Sequence, residues 1–412
     1  MRRVVITGIG LVGPTGNGHR AFWQCLIEGR SGIGRITRFD PSPYACQIGG
    51  EVRDRSYEEL LDPRKLRTTP HVTQLALAAA ELALRDARLP RMFDDPDHAG
   101  LSIGTAVGGF RDAEQQHSVL MERGARRVNP FIANSTPNHT SGVEVASALG
   151  ARGAQATFSS GCPAGLQAIG HGASLVAAGE LDICLAGGAE SPLTPMIMVG
   201  MGRTQELATA NGDPEHACRP FDRRHDGLVL SEGSCLLVLE PAERAVQRGA
   251  KVYAEVRSFA SSCDGRGLYS FDWSGEPAAR GLHRALNRSG ISATEIDYVC
   301  AHANSSPAFD RKETVVIKKA FGECAARLPV SSIKAVLGHP FGASGAFQVA
   351  ATVLAIENNL IPPTHNLEIP DPKCDLDYVP GEARAARVRK ALVTSYGYGG
   401  VNAYLVLTAP EL

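Results

Sequence analysis

Aromatic side chains are scarce in this chain, 6% of 412 residues, while glycine is plentiful at 44. That balance excludes a disordered or fibrous polymer and suits close helix–sheet packing and tight turns. Charge of one sign is also missing. The formal net charge is −1, so no global field draws the chain to nucleic acid or to a membrane surface. No stretch approaches the ~20 consecutive apolar residues that a bilayer span requires. The opening MRRVVITGIGLVGPTGNG pairs two arginines with an apolar run, as a signal peptide does. Its run is β-branched, however, and a Gly/Pro/Asn turn follows where a small-residue cleavage site would stand, so it is expected to form an edge-to-core strand. The ten cysteines make no CxxC pair and no Cys/His metal spacing. No metal site is expected, and most of the cysteines read as reduced, buried small hydrophobes in a cytoplasmic protein.

What is present is a repeated alternation. Hydrophobic residues make up 43% of the chain, enough for a large core and two or three units at roughly 100–200 residues each. Apolar, β-branched runs such as RRVVITGIG, AGLSIGTAV, LDICLAGG, SCLLVLEP, IDYVCAHAN and NAYLVLTA alternate with helix-period stretches at 71–87, 275–290 and 345–359. The runs are apolar throughout, as in strands covered on both faces, and the expectation is an α/β fold in layers. A charged connector near residue 241 divides it into two α/β halves, 1–248 and 249–412. No low-complexity tract and no long linker interrupts either half.

Three sites carry the chemistry. In QATFSSGCPAGLQAIGHGASLVAAGE, Cys162 stands between a strand and a helix of small residues. A helix N-terminus offers free N–H groups that lower a thiol's pKa, and Pro163 suits the first helical position. In IDYVCAHANSSPAFDRKET, His302 leaves a buried strand for a polar loop, and the helix after it carries Asp310 and Glu313. In VSSIKAVLGHPFGASGAFQVAA, Lys334 and His339 bracket a turn. Two histidines at strand exits together with a cysteine at a helix start form a constellation that a single buried histidine does not.

The blocks GCPAG, AHANSSP, SIKAVLGH and SYGYGGVNAYLVL resemble those of the β-ketoacyl-acyl-carrier-protein synthases, the thiolase-like condensing enzymes, nearly end to end and in the family's order. DPEHACRPFD and PDPKCDLDYVP are most similar to the catalytic ketosynthase subunit of bacterial type II polyketide systems. The resemblance implies a thiolase-like fold of two similar halves in αβαβα layers. It implies decarboxylative condensation of a carrier-bound malonyl unit with an acyl chain on Cys162, in polyketide or fatty acid synthesis. His302 and His339 would serve decarboxylation and condensation, with Lys334 beside His339 and held by Glu313. Gly397, Tyr398, Gly399 and Gly400 would form the gating loop, the N–H of Tyr398 joining that of Cys162 as an oxyanion hole. Val107 and Tyr396 would line the acyl pocket.

Departures from the family pattern are concentrated near the histidines. The usual His-Gly-Thr-Gly-Thr loop is here His302-Ala303-Asn304-Ser305-Ser306, leaving Asn304 and Ser306 to bind pantetheine. Gln348 stands where a glutamate is common, and Tyr396 and Tyr398 where phenylalanines are. The resemblance implies no cofactor beyond the phosphopantetheine of an acyl carrier protein, which Arg64, Lys65 and Arg67 would receive. It also implies a dimer, with an identical chain or a chain-length-factor-like subunit, contacted through residues 129–142. A non-catalytic chain-length-factor-like partner subunit is the alternative reading, and the presence of Cys162 speaks against it. A thiolase would need a cysteine near SYGYGGVNA, which has none. An initiating synthase would replace His339 by asparagine.

Overall fold

The computed structural model describes residues 1–411. Ten of the eleven strands of the main sheet run in one continuous order: β1 (Val4–Gly13), β2 (Ala99–Gly104), β3 (Gln155–Phe158), β4 (Ile183–Glu190), β5 (Gly233–Pro241), β6 (Ala254–Cys263), β7 (Tyr298–Cys300), β8 (Val330–Ser331), β9 (Lys390–Gly397) and β10 (Val401–Thr408); the two-residue strand Gly16–Asn17 pairs with β1 off that path. Six helices fill matching places: α1 (His71–Ala87), α2 (Thr140–Leu149), α3 (Ala164–Ala178), α4 (Glu276–Ser289), α5 (Pro307–Phe321) and α6 (Ser344–Asn358). The strand order is β8-β7-β9-β10-β6-β1-β5-β4-β2-β3. Read outward from the antiparallel β1–β6 seam, each half repeats one pattern. The N-terminal half runs β1-β5-β4-β2-β3 and the C-terminal half β6-β10-β9-β7-β8. Pairing direction repeats as well, two antiparallel pairs followed by two parallel ones. This duplication leaves no visible repeat in the sequence.

The central strands β1, β4, β5, β9 and β10 are buried almost throughout, as their unbroken apolar character requires. Helix α3 touches β2, β4 and β5 of its own half and also β6 and β10 of the other. Helix α6 touches β7 and β9 and also β4 and β5. These two helices form the middle layer, with α1 and α2 outside one half and α4 outside the other, which gives the αβαβα stack.

Small residues permit this closeness. A Cβ on Gly165, the second residue of α3, would lie 2.6 Å from the Gly342 carbonyl oxygen, and one on Gly345, the second residue of α6, 2.7 Å from Leu166 Cβ. Real Cβ atoms do not approach so near, so the two helix starts meet only because both positions are glycine. No helix among the described residues is long and apolar enough to cross a membrane.

Candidate active site

Cys162 lies between β3 and α3, and His339 at the equivalent place between β8 and α6. The glycine contacts press these two helix starts together, and His339 Nε2 lies 3.2 Å from Cys162 Sγ. Both side chains are buried. His339 is fixed through its backbone: its N–H donates to Val229 O at 2.7 Å and its carbonyl accepts from Ser231 N at 3.1 Å. His302 leaves β7, and its ring stands perpendicular to that of His339 with centroids 5.2 Å apart. The structure thus gathers Cys162, His302 and His339 at one point.

The electrostatics revise one expectation. Burial pushes the Cys162 thiol up to about 12, against the pull of the Lys334 charge. The helix start does not win, because Cys162 lies before the cap: α3 begins at Ala164 with Pro163 as its N-cap, one residue later than expected, and dipole effects fade within a turn. Burial and the Lys334 charge also hold both imidazoles well below their ordinary pKa. The resting site is therefore a neutral thiol beside a neutral ring.

Lys334 is fully buried and donates from Nζ to the His302 carbonyl at 2.8 Å. Glu313 does not pair with it, contrary to expectation. Its carboxylate accepts the N–H groups of His302 at 2.9 Å and Ala303 at 2.7 Å, together with the Thr394 hydroxyl. Two successive N–H groups at the end of a short strand need an acceptor, and Glu313, on the following helix, is positioned to be it. Burial raises its carboxyl to about 7. Asp310 does the same work one step on, accepting from Asn304 N at 3.0 Å and from Phe221 N at 2.8 Å. Gln348 donates to the carbonyls of Cys300, Ala301 and Thr394 at 2.8–3.2 Å. Three carbonyls call for donors, which an amide supplies and a carboxylate would not.

The Gly397–Gly400 loop lies against the cysteine. A Cβ on Gly397 would be 3.4 Å from Cys162 N and 2.7 Å from Pro163 Cδ, and Gly399 and Gly400 have φ of 80° and 70°. The Tyr398 hydroxyl donates to Glu206 at 2.8 Å. Val107 packs on the same apolar cluster as Cys162, Phe341 and Met198. Tyr396 does not. It points to the opposite face of β9 and packs with Tyr404 and Phe309, because Ser395 takes the cysteine side, its hydroxyl donating to Cys162 O at 3.4 Å. Asn304 and Ser306 are buried, and the Asn304 amide is turned onto His302. Arg64 and Arg67 are exposed on the short Pro63–Thr68 helix, while Lys65 is paired with Glu144.

Several residues at the site went unrecognised in the sequence. Glu190, fully buried at the end of β4, accepts from the N–H groups of Ala106, Val107 and Gly342 and from the Thr105 hydroxyl. It ties the Val107 turn to the turn after His339, and a glutamate closing an apolar strand run was its only signal. Thr394 and Phe309 gave none. Ser305 and Phe341 sit at φ 74° and 30°, so each histidine is followed within three residues by a strained position, as functional turns often are.

Two family models match, "Beta-ketoacyl synthase, N-terminal domain" over residues 1–245 and "Beta-ketoacyl synthase, C-terminal domain" over 253–368. The chain belongs to the β-ketoacyl synthase family. It is 42% identical to a 3-oxoacyl-[acyl-carrier-protein] synthase 2 of Synechocystis sp., over 98% of this chain and 97% of the relative. Among solved structures, the ishigamide ketosynthase/chain length factor superposes with a TM-score of 0.93 at 32% identity, covering all of both chains. A type II polyketide acyl-carrier protein in complex with its ketosynthase bound to the hexaketide gives 0.90 at 32%, covering 99% of this chain and all of the other. This β-ketoacyl synthase therefore has the thiolase-like condensing fold, and its activity is the carbon–carbon bond-forming condensation of fatty acid and polyketide synthesis.

Proposed function

We propose that Cys162 is the acyl-accepting nucleophile and His339 its proton acceptor, on the 3.2 Å contact between Nε2 and Sγ. The sulfur attacks a carrier-bound acyl thioester, its proton passes to Nε2, and His339 returns that proton to the departing carrier thiol. The backbone N–H groups of Cys162 and Tyr398 receive the tetrahedral oxyanion, a contribution of about 2.7–4 kcal/mol for one such donor. Carrier-bound malonyl then loses CO2. The electron pair of the broken C–C bond moves into an enolate, whose carbon attacks the acyl group on Cys162. The sulfur leaves as thiolate and is reprotonated. His302 and His339 serve this second half, with Lys334, Glu313, Asp310 and Gln348 holding the His302 segment in place. A buried site suits a reaction whose carbanion water would quench, and Val107 lines the acyl side.

Both substrates ride on the phosphopantetheine of an acyl carrier protein, which the exposed Arg64 and Arg67 receive. The segments 1–248 and 249–412 are the two halves of the enzyme. A partner chain covers the exposed Met121, Phe131 and Met196 and the outer edge of β3. The neighbour solved as a ketosynthase/chain length factor supports a heterodimer.

The experiment that tests this reading is mass spectrometry of Cys162→Ala after incubation with acyl-carrier protein. The wild type gains the acyl mass and the variant does not, its circular dichroism unchanged. An adduct persisting on Cys162→Ala sinks the assignment.

A further inference from the structure

The Asn304 side chain is held in one sense. Its Oδ1 accepts the backbone N–H of Ser306 at 3.1 Å, and the backbone N–H of Asn304 donates to Asp310 Oδ1 at 3.0 Å. Ser305, at φ 74°, curls the loop so that this turn closes. Ser305 is pinned in turn by Arg219 N on its hydroxyl at 3.0 Å and by Gly227 N on its carbonyl at 3.2 Å. With Oδ1 occupied by a backbone donor, turning the amide over would set an Nδ2–H against the Ser306 N–H, two donors facing each other. Nδ2 therefore faces His302, 3.4 Å from Nε2. An amide N–H is met productively only by a lone pair. The tautomer that avoids N–H facing N–H has its proton on Nδ1 and a bare Nε2. The amide nitrogen carries two hydrogens, and one suffices for His302. The second has no acceptor among the described residues.

We propose that Asn304 fixes His302 as the Nδ1–H tautomer and itself presents the N–H that receives the malonyl thioester oxygen. This rests on the proposed role of the histidines in the second half-reaction. As the malonyl C–C bond breaks and CO2 leaves, negative charge gathers on the thioester oxygen, where the free Asn304 N–H stabilises it. His302 Nε2 stays an acceptor.

The test has a structural and a kinetic arm. In protein labelled with 15N-histidine, long-range 1H–15N correlation reports the tautomer of each ring, His302 being assigned by its loss in His302→Gln. Wild type shows Nδ1–H. In Asn304→Asp, which places acceptors where Nδ2 stood, the ring moves to Nε2–H or to imidazolium. Malonyl-carrier decarboxylation falls about 10²–10³-fold in Asn304→Ala, the loss typical of one oxyanion donor, and Asn304→Asp falls at least as far. An Nε2–H ring in the wild type overturns the proposal, as does decarboxylation by Asn304→Ala at the wild-type rate. His302→Ala separates this inference from the reading beneath it. If His302→Ala is inactive while Asn304→Ala is not, only the asparagine's role is lost. If His302→Ala decarboxylates normally, the histidine role goes first.

Discussion

His339 Nε2 sits 3.2 Å from Cys162 Sγ in a site where burial keeps the thiol protonated up to about pH 12. Ionisation in advance therefore contributes little: at pH 8 a thiol of that pKa is about one part in 10⁴ thiolate. The proton has to leave as the sulfur attacks, and a neutral ring already in contact is the group to take it.

His339→Ala should therefore slow acylation of Cys162 by about 10²–10⁴-fold at neutral pH and make it depend on hydroxide. Without the ring, only pre-formed thiolate attacks, so the rate climbs about tenfold per pH unit up to the thiol's pKa. The wild-type rate stays nearly flat, because the lowered His339 pKa keeps Nε2 unprotonated across that range. Stopped-flow acylation between pH 6 and 10 checks this. A flat profile in the variant would remove His339 as the proton acceptor.

Glu313 makes a second prediction, about stability. Its carboxyl rises from the usual 4.5 to about 7 in the folded chain. A raised carboxyl contributes stability that is fully present below 4.5 and lost as pH climbs through about 7. In Glu313→Gln that dependence disappears, while an amide N–H now opposes the N–H of Ala303 or His302. The variant should be destabilised by about 1–3 kcal/mol at pH 5 and by less at pH 8, as read from denaturant midpoints. Condensation should suffer more than acylation, since Glu313 holds the His302 backbone and makes no contact with Cys162. A gap between wild type and variant that widens with pH would contradict the account.

A third concerns the Gly397–Gly400 loop. Tyr398 donates to Glu206 at 2.8 Å, and its ring meets Phe309 edge-on at 5.2 Å. Tyr398→Phe and Glu206→Gln each weaken the same closing contact, by about 0.5–1.5 kcal/mol, or about 2–12-fold in the open population. Both should speed alkylation of Cys162 by iodoacetamide by that factor, and the double variant should add little. Full additivity would mean that the two side chains do not act together.

The sequence made the three residues that meet at the site and the layered α/β halves legible, because cysteine and histidine at strand ends are chemically conspicuous and buried strands are apolar throughout. What it hid follows from geometry. Glu313 sits eleven residues from His302 and reads as an obvious partner for a lysine, yet the nearer need was for two strand-end N–H groups. Tyr396 looked like pocket lining until the register of β9 gave the cysteine face to Ser395. The activating effect of the helix start on Cys162 was offset by burial, which local sequence does not measure. Glu190 and Thr394 act only through contacts across the fold, so no local pattern announces them.

Cys162 and His339 occupy corresponding stations on two copies of one topology, each just ahead of a middle-layer helix whose second residue is glycine. Had the two copies been separate, identical polypeptides related by a symmetry axis, whatever residue stood at one station would also stand at the other, giving two cysteines or two histidines face to face. Joining both copies in a single covalent strand lets each station mutate alone. The enzyme can thus place unlike groups within a bond's reach across a near-symmetric frame.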